Sequence, residues 1–453
     1  MIKKIVLKNF KSFKNLTFDL SGRSNNPKNI IAIYGENGAG KSNLIDVFKL
    51  LRLSKETLKF ATDFSFIQKK FQEEIESSHI TLEEFKNFTF PGQHTTFQEV
   101  SENTHRLSTD ANTELYYYFD IDGSEAEYFL EYDSSNILIS ESLDFVINKN
   151  KGQHFKINKL DNDLLDINLN KVIFKGSVRK DLINQAQKLW GKHTFLSVFS
   201  EYLKSINKKY SENNISSNIN KILNEIDKIS IWTYNMKGPF HDDSLLLTEL
   251  DKGEIDKKDK DKLLRNEEMI YQYFSMLYTD IKDVKYEIVE NGNKLKYNLY
   301  FIKNVGGDLT KVPFNLESNG TKNLLELLTV FYWITKGRIC LIDEIDSGIH
   351  DILMNSVLES ISNSITGQMI FTTHDTALLK KLKSSSAYFM NIDALGNKKI
   401  IAGNQIDQKV AANNNMEKLY LEGLFGAVPD PLCFDFRELF DESLGTKEGS
   451  DED

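Results

Sequence analysis

Read as a string of apolar and polar positions, the chain opens with a period of two. "KKIVLKNF" (3–10) and "NLTFDL" (15–20) alternate, the mark of strands with one wet face, whereas "NIIAIYG" (29–35) is continuously apolar and suits burial on both faces. A helix is predicted from Ser42 to about Leu53, and residues 55–112 are phenylalanine-rich with no clear period. Alternation returns from Thr113 to Ile147, predicting antiparallel strands with turns around Asp122-Gly123 and Ser134-Ser135. Residues 150–280 differ: Lys, Asn, Asp and Glu dominate, with amphipathic stretches such as "NINKILNEIDKIS", and a largely helical insertion with a loop near "SENNISSN" is predicted. The run "DKGEIDKKDKDKLLRNEE" mixes its signs and reads as a solvated loop or helix face.

A hairpin, "KYEIVENGNKLKYNLYFI", turns at Asn291-Gly292. Beyond it the pattern predicts a helix after Gly320, a strand over 338–343, a helix from about Ser347 and a strand in "QMIFTTHD". Short strands in "AYFMNID" and "KKIIAG", a last helix near 416–424 and a disordered acidic tail, "GTKEGSDED", follow. The core-like strands stand at the two ends of the chain. Both ends must meet to complete one sheet.

With 453 residues, 40% hydrophobic and 27% charged, the chain has room for about two or three domains with ordinary cores. A net charge of −10 argues against coating nucleic acid over the whole surface, though a local basic face is compatible with it. Two cysteines, Cys340 and Cys433, make no disulfide framework and suit a reducing compartment. No stretch approaches the ~18 apolar residues of a spanning helix, and lysines break up the N-terminus. A cytoplasmic protein with no membrane partner is expected.

The chemistry lies at the ends of the apolar strands. "GENGAGKS", Gly35 to Ser42, fits G-x-x-x-x-G-K-[ST] between a buried strand and a helix, the context this motif requires. Gly35, Gly38 and Gly40 let the backbone of Glu36, Asn37 and Ala39 curl so that N–H groups point at phosphate oxygens. Lys41 adds a mobile charge for the β- and γ-phosphates, and the Ser42 hydroxyl suits Mg²⁺. "RICLIDEIDSGIH" ends an apolar run in Asp343, Glu344 and Asp346, carboxylates that are costly to bury unless something positive faces them. A magnesium–nucleotide does so: Asp343 would hold Mg²⁺ through water opposite Ser42, with Glu344 as the base for the attacking water. "FTTHD" sets His374 at the end of another core strand, within reach of a γ-phosphate. In "LESNGTKNLLELL", Ser318 and Gly320 open a helix; the same residues would serve an anion site or a plain helix cap.

Taken in order, these motifs, split by a long insertion, resemble the ABC-type ATPases of the SMC and RecF kind, and "LKNFKSFKNLTFDL" resembles the way those chains begin. "NNNMEKLYLEGLFGAVP" is similar to a narrower group, the OLD-related stand-alone ATPase subunits of bacterial anti-phage and abortive-infection operons, of AbiL, RloA and PARIS type. The resemblance implies an α/β fold: an ABC-type head with a mixed central sheet and an antiparallel β-lobe, plus a largely helical insertion. Its parts would be 1–149 (N-terminal part of the head), 150–283 (insertion), 284–430 (C-terminal part of the head) and 431–453 (acidic tail).

The resemblance also implies ATP and Mg²⁺ as cofactors and a head-to-tail ATP sandwich. Lys41, Ser42, Asn43, Asp343, Glu344 and His374 would act from one copy, while Ser318 and Gly320 cap the γ-phosphate bound to the other. Asp346 would match the loop that crosses the interface, and Lys11 and Ser12 the stretch beside the base. The signature reads Ser-Asn-Gly rather than Ser-Gly-Gly, and neither Gln93 nor Gln98 is assignable as the Q-loop glutamine. The implied function is ATP-driven sensing and assembly. The partners would be a second copy (a dimer or a ring of dimers), an effector nuclease or toxin from the same operon, and a phage-encoded trigger. A DNA-repair ATPase that binds DNA is the alternative.

Overall fold

The computed structural model describes residues 1–71, 81, 84–86, 92–233, 236–238, 245–405, 415–428 and 435–444. Three sheets organise them. The first holds β1 (Ile2–Phe10), β2 (Phe13–Asp19), β4 (Thr113–Ile121), β5 (Ser124–Tyr132), β6 (Leu138–Ile147), β7 (Asn150–Lys159) and β8 (Leu165–Leu169), in the order β2-β1-β4-β5-β6-β7-β8. Every pair in it is antiparallel. In β4 buried residues alternate strictly with half-exposed ones, as expected of a strand with one face on a core.

The second sheet is mixed, in the order β10-β9-β15-β16-β3-β17-β18. Its parallel centre comprises β9 (Ile229–Thr233), β15 (Ile339–Ile342), β16 (Gln368–Thr372), β3 (Ile30–Tyr34) and β17 (Ala387–Ile392). The antiparallel edges are β10 (Met236–Gly238) and β18 (Lys398–Ala402). All residues of β15 and β16 are buried; β15 reads as an unbroken apolar run, and β16 has an apolar centre, Met369–Phe371, between buried Gln368 and Thr372. A third, antiparallel sheet joins β11 (Lys252–Asp256), β12 (Ile281–Asn291), β13 (Lys294–Val305) and β14 (Asp308–Pro313).

The two large sheets are pinned together by the amide of Gln368, which is fully buried. Its Nε2 donates to the carbonyls of Ile2 (2.8 Å) and Lys28 (3.0 Å), and its Oε1 accepts from the Ile2 N–H (3.1 Å). A buried amide with both ends satisfied fixes a joint, because leaving either end unpaired costs about 1–3 kcal/mol.

Several expectations need correcting in detail. The stretch 150–283 does contain helices, at Gly176–Leu189, Phe195–Ser205, Lys208–Asn214, Ser217–Asp227 and Lys260–Leu277. Yet 150–169 belongs to the antiparallel sheet, and Ile229–Thr233 lies inside the central sheet against β15. Within "SENNISSN" only Ile215 and Ser216 interrupt helix, and the mixed-charge run from Asp251 contributes β11 as well as helix. The helix expected from Ser347 starts at Asp351, because Gly348 (φ 69°) turns the chain and His350 caps the helix by accepting from the Ile352 N–H. Phe436–Leu444, placed in the acidic tail, is helical, whereas "GTKEGSDED" lies outside the described residues. No described helix is long and apolar enough to cross a membrane.

Candidate functional site

Because β3, β15 and β16 are adjacent and parallel, the segments that follow them emerge at one edge of the sheet, where open α/β sheets place ligands. The topology therefore brings together Gly35–Ser42, Asp343–Asp346 and Thr373–Asp375.

The first segment is shaped by its glycines. Gly38 and Gly40 have φ of 81° and 105°, conformations that side-chain-bearing residues rarely adopt, and a Cβ on Gly35 would lie 2.8 Å from the Met390 carbonyl oxygen. The helix Lys41–Ser54 begins directly after Gly40 with no side-chain cap and no acid in its first turn. Its leading N–H groups are thus left for an anion. Lys41 Nζ donates to the carbonyls of Gly35 (2.7 Å) and Glu36 (3.2 Å), while Asn37, Gly38 and Ser42 are exposed and Ala39 is buried.

Burial pushes the Lys41 ammonium below its ordinary pKa, and Asp343, Glu344, Asp346 and Glu36 pull it back up. That pull is the electrostatic signature of the acidic strand end facing the glycine loop. Ser42 carries an exposed hydroxyl and Asp343 a half-exposed carboxylate, oxygen donors of the kind that suits magnesium, which keeps several waters and takes other oxygens from phosphate. No group of three or more His, Cys, Asp or Glu among the described residues could hold a metal alone.

The acids are held by one residue that the sequence did not single out. The Thr372 hydroxyl donates to Asp343 Oδ1 (2.6 Å) and accepts from the Glu344 N–H (2.7 Å). Glu344 is exposed with φ 53°, an uncommon conformation for a residue with a side chain. Asp346 Oδ2 accepts from the His374 N–H (3.1 Å), so within one chain Asp346 steadies the backbone of the histidine segment; its Oδ1 is buried with no hydrogen-bond partner among the described residues. The His374 side chain is exposed.

Ser318 is the N-cap of the helix Asn319–Thr335, its Oγ accepting from the Thr321 N–H (3.2 Å), and both Ser318 and Asn319 are exposed. Gly320 is buried by contact with the turn after Asp346: a Cβ there would meet the Gly348 carbonyl oxygen at 2.1 Å. Asn323 Nδ2 donates to the Ser347 carbonyl (2.8 Å), which ties the same helix to the same turn.

Lys11 ion-pairs with Asp46, and Ser12 Oγ accepts from Asn43 Nδ2 (2.8 Å), so the β1–β2 turn buttresses the start of the helix after the glycine loop. Gln98 is exposed and donates to the Ser135 carbonyl. A second residue that the sequence did not flag, Lys398 on β18, reaches the glycine loop by donating to the Gly38 carbonyl.

Residues 30–380 match the protein family described as "AAA domain, putative AbiEii toxin, Type IV TA system". Over 58 residues the chain is 48% identical to the chromosome partition protein Smc of Methanocaldococcus jannaschii, a stretch that makes up 13% of this chain and 4% of that protein. The chain therefore spans only a small part of the length of that curated relative. Among solved structures, the SMC head domain from Thermotoga maritima matches at 14% identity and a TM-score of 0.36, over 88% of this chain and 98% of that one. The Smc head domain with an extended coiled coil, bound to the C-terminal domain of ScpA derived from Pyrococcus furiosus, matches at 16% identity and 0.39, over 93% and 99%.

Proposed function

The chain belongs to the P-loop ATPase family whose domain spans residues 30–380, and from that membership we propose that it binds ATP with Mg²⁺, hydrolyses it, and uses the cycle to control a separately encoded effector in bacterial defence. One observation carries the nucleotide part: the Lys41 ammonium, on an uncapped helix start, stands in the field of Asp343, Glu344 and Asp346 across one sheet edge. In this reading the loop N–H groups and Lys41 bind the phosphates. Glu344 takes the proton of the attacking water, and His374 donates to the γ-phosphate. A magnesium ion bound by Ser42 and Asp343 would neutralise phosphate charge.

The helix start at Ser318 and the Asp346–Gly348 turn, joined through Gly320, form a unit suited to reaching a second copy. The proposed assembly is a head-to-tail dimer, alone or in a ring of dimers, with ATP at the shared surface. Burying nucleotide between copies supplies the differential affinity that lets ATP shift an assembly equilibrium. The defence role draws support from the wording of the family description and from the resemblance of the C-terminal stretch.

The test combines three proteins. Lys41→Ala is expected to lose ATP binding, and Glu344→Gln to keep ATP while hydrolysis falls by orders of magnitude and the closed assembly accumulates. Ser318→Arg mixed with Lys41→Ala should recover part of the activity that each lacks alone. Wild-type turnover in Glu344→Gln removes that carboxylate from the chemistry, and mixtures as inactive as their parents remove the shared site. Co-purification with the product of the adjacent open reading frame, with and without ATP, tests the effector; tight DNA binding with no such partner would point to repair instead.

A further inference from the structure

Lys398 is an ammonium with no carboxylate in ion-pair contact among the described residues, held against the phosphate loop by a hairpin. β17 lies parallel beside β3, with Phe389 opposite Tyr34, so the turn after β17 emerges on the side where β3 becomes the glycine loop. That turn is locked by its own hydrogen bonds. Asp393 Oδ1 accepts from the N–H groups of Leu395 (2.9 Å) and Asn397 (2.8 Å), and the Asp393 N–H donates to the Asn397 carbonyl (2.9 Å). Lys398, paired with Ile392 across the hairpin, is thereby delivered to the loop. Its Nζ donates to the Gly38 carbonyl, and its Cδ stands 3.2 Å from where a Cβ on Gly40 would be.

The charge balance around it is incomplete. Lys41 has four carboxylates in its field and Lys11 is paired with Asp46. Half-buried Lys398 has three N–H donors, one neutral acceptor and, among the described residues, no carboxylate in ion-pair contact; burial lowers its pKa with no charge opposing the shift. A partly desolvated cation in that setting is favoured by an incoming anion. The anion that a loop of this geometry cradles with its backbone is the α/β-phosphate pair of a nucleotide.

We propose that Lys398 is a second phosphate-binding lysine, which holds the Gly38 carbonyl in the free chain and contacts the α- and β-phosphates of bound nucleotide. The inference rests on the nucleotide-binding reading above and adds to it a residue from outside the glycine-loop motif. Because ATP and ADP share those two phosphates, both should depend on Lys398 to the same degree.

The experiment is equilibrium binding of ATP and ADP to the full chain, by displacement of a fluorescent nucleotide, for wild type, Lys398→Met, Lys398→Arg and Lys41→Ala. Losing a charge-assisted contact should weaken both nucleotides about tenfold in Lys398→Met at low salt. The gap should narrow at high salt, where the attraction is screened, and Lys398→Arg should restore most of the affinity. Lys398→Gln, a second neutral replacement, gives the same reading should the Met variant perturb the folded chain. Wild-type affinity in the neutral variants overturns the proposal, as does an equal loss at all salt concentrations, which would make Lys398 a prop for the loop. Absence of ATP binding to wild type would overturn the nucleotide reading as well; ATP binding that needs Lys41 but not Lys398 overturns this inference alone.

Discussion

Gly320 lies so close to Gly348 that a Cβ on it would sit 2.1 Å from the Gly348 carbonyl oxygen. The helix begun by Ser318 and the turn that follows the acidic strand end are therefore one mechanical piece, further tied by Asn323 to Ser347. In Gly320→Ala the helix must move off the turn. Overpacking of this kind costs about 1–3 kcal/mol. The variant should unfold at a lower denaturant midpoint and lose hydrolysis while still binding ATP; unchanged turnover would separate the contact from the cycle.

Thr372 can be tested by a near-isosteric change. Thr372→Val removes the hydroxyl that donates to Asp343 and accepts from the Glu344 N–H. Leaving such partners unsatisfied costs about 1–3 kcal/mol. The stronger effect is expected on turnover, because both acids lose their positioning: kcat should fall at least tenfold with nucleotide affinity nearly intact. Thr372→Ser should recover much of the rate.

Asp227 is the shared counter-ion of two buried cations at the far end of the glycine-loop helix. Arg52 Nη1 lies 3.2 Å from one carboxylate oxygen and Lys55 Nζ 2.5 Å from the other, and Arg52 also pairs with Glu56 at 2.9 Å. Removing one partner of a buried pair is costly, and since Asp227 is itself partly exposed, about 2–3 kcal/mol is expected for Asp227→Ala. Thermal unfolding reads this directly. A change of only a few tenths would show that the cations find water instead.

Two buried groups at the start of the helix Phe195–Ser205 should offset one another in pH dependence. Glu141, fully buried, accepts from the N–H groups of Phe195 and Leu196, from Trp190 Nε1 and from the Tyr128 hydroxyl. Burial pushes it up to about 7 although those bonds pull it down, so its contribution to stability falls as pH rises from about 4.5 to about 7. His193 is pushed down to about 4, chiefly by burial, so its contribution is lost as pH falls from about 6.5 to about 4. The contributions of these two groups should oppose one another across that window, while His94 and His154, also pushed down by burial, add to the rise of stability with pH. Glu141→Gln should be less stable throughout, because all its partners donate, yet its stability should climb with pH; a flat profile for this variant in chemical denaturation would contradict the assignment.

What the sequence made legible follows from how many neighbours each residue needs before its role shows. β15 and the centre of β16 were readable because strands covered on both faces are apolar wherever no buried partner satisfies a polar group. The glycine loop was readable because its chemistry is local. β9 was hidden: "ISIWT" directly follows an amphipathic helix, and a five-residue stretch with three apolar residues is as compatible with a helix end as with a core strand. β7 lies toward the edge of its sheet, and its lysines and amides blurred the alternation. Thr372 and Lys398 act only through tertiary neighbours, the one through β15 and the other through the loop after β3. Gly320 was legible as a glycine but not for its reason, which is the carbonyl of a residue distant in sequence.

The position of β9 has a consequence for how this chain can be taken apart. β9 covers one side of β15, the Ile339 N–H donates to the Lys228 carbonyl, and the Asp343 N–H donates to the Trp232 carbonyl. Excising the middle of the chain would turn the strand that ends in Asp343 into a raw, sticky margin, with amide groups bare and ready to recruit another molecule. Trimming should therefore spare Lys228–Thr233, and grafts between relatives will succeed when they carry that strand with the head rather than with the excursion.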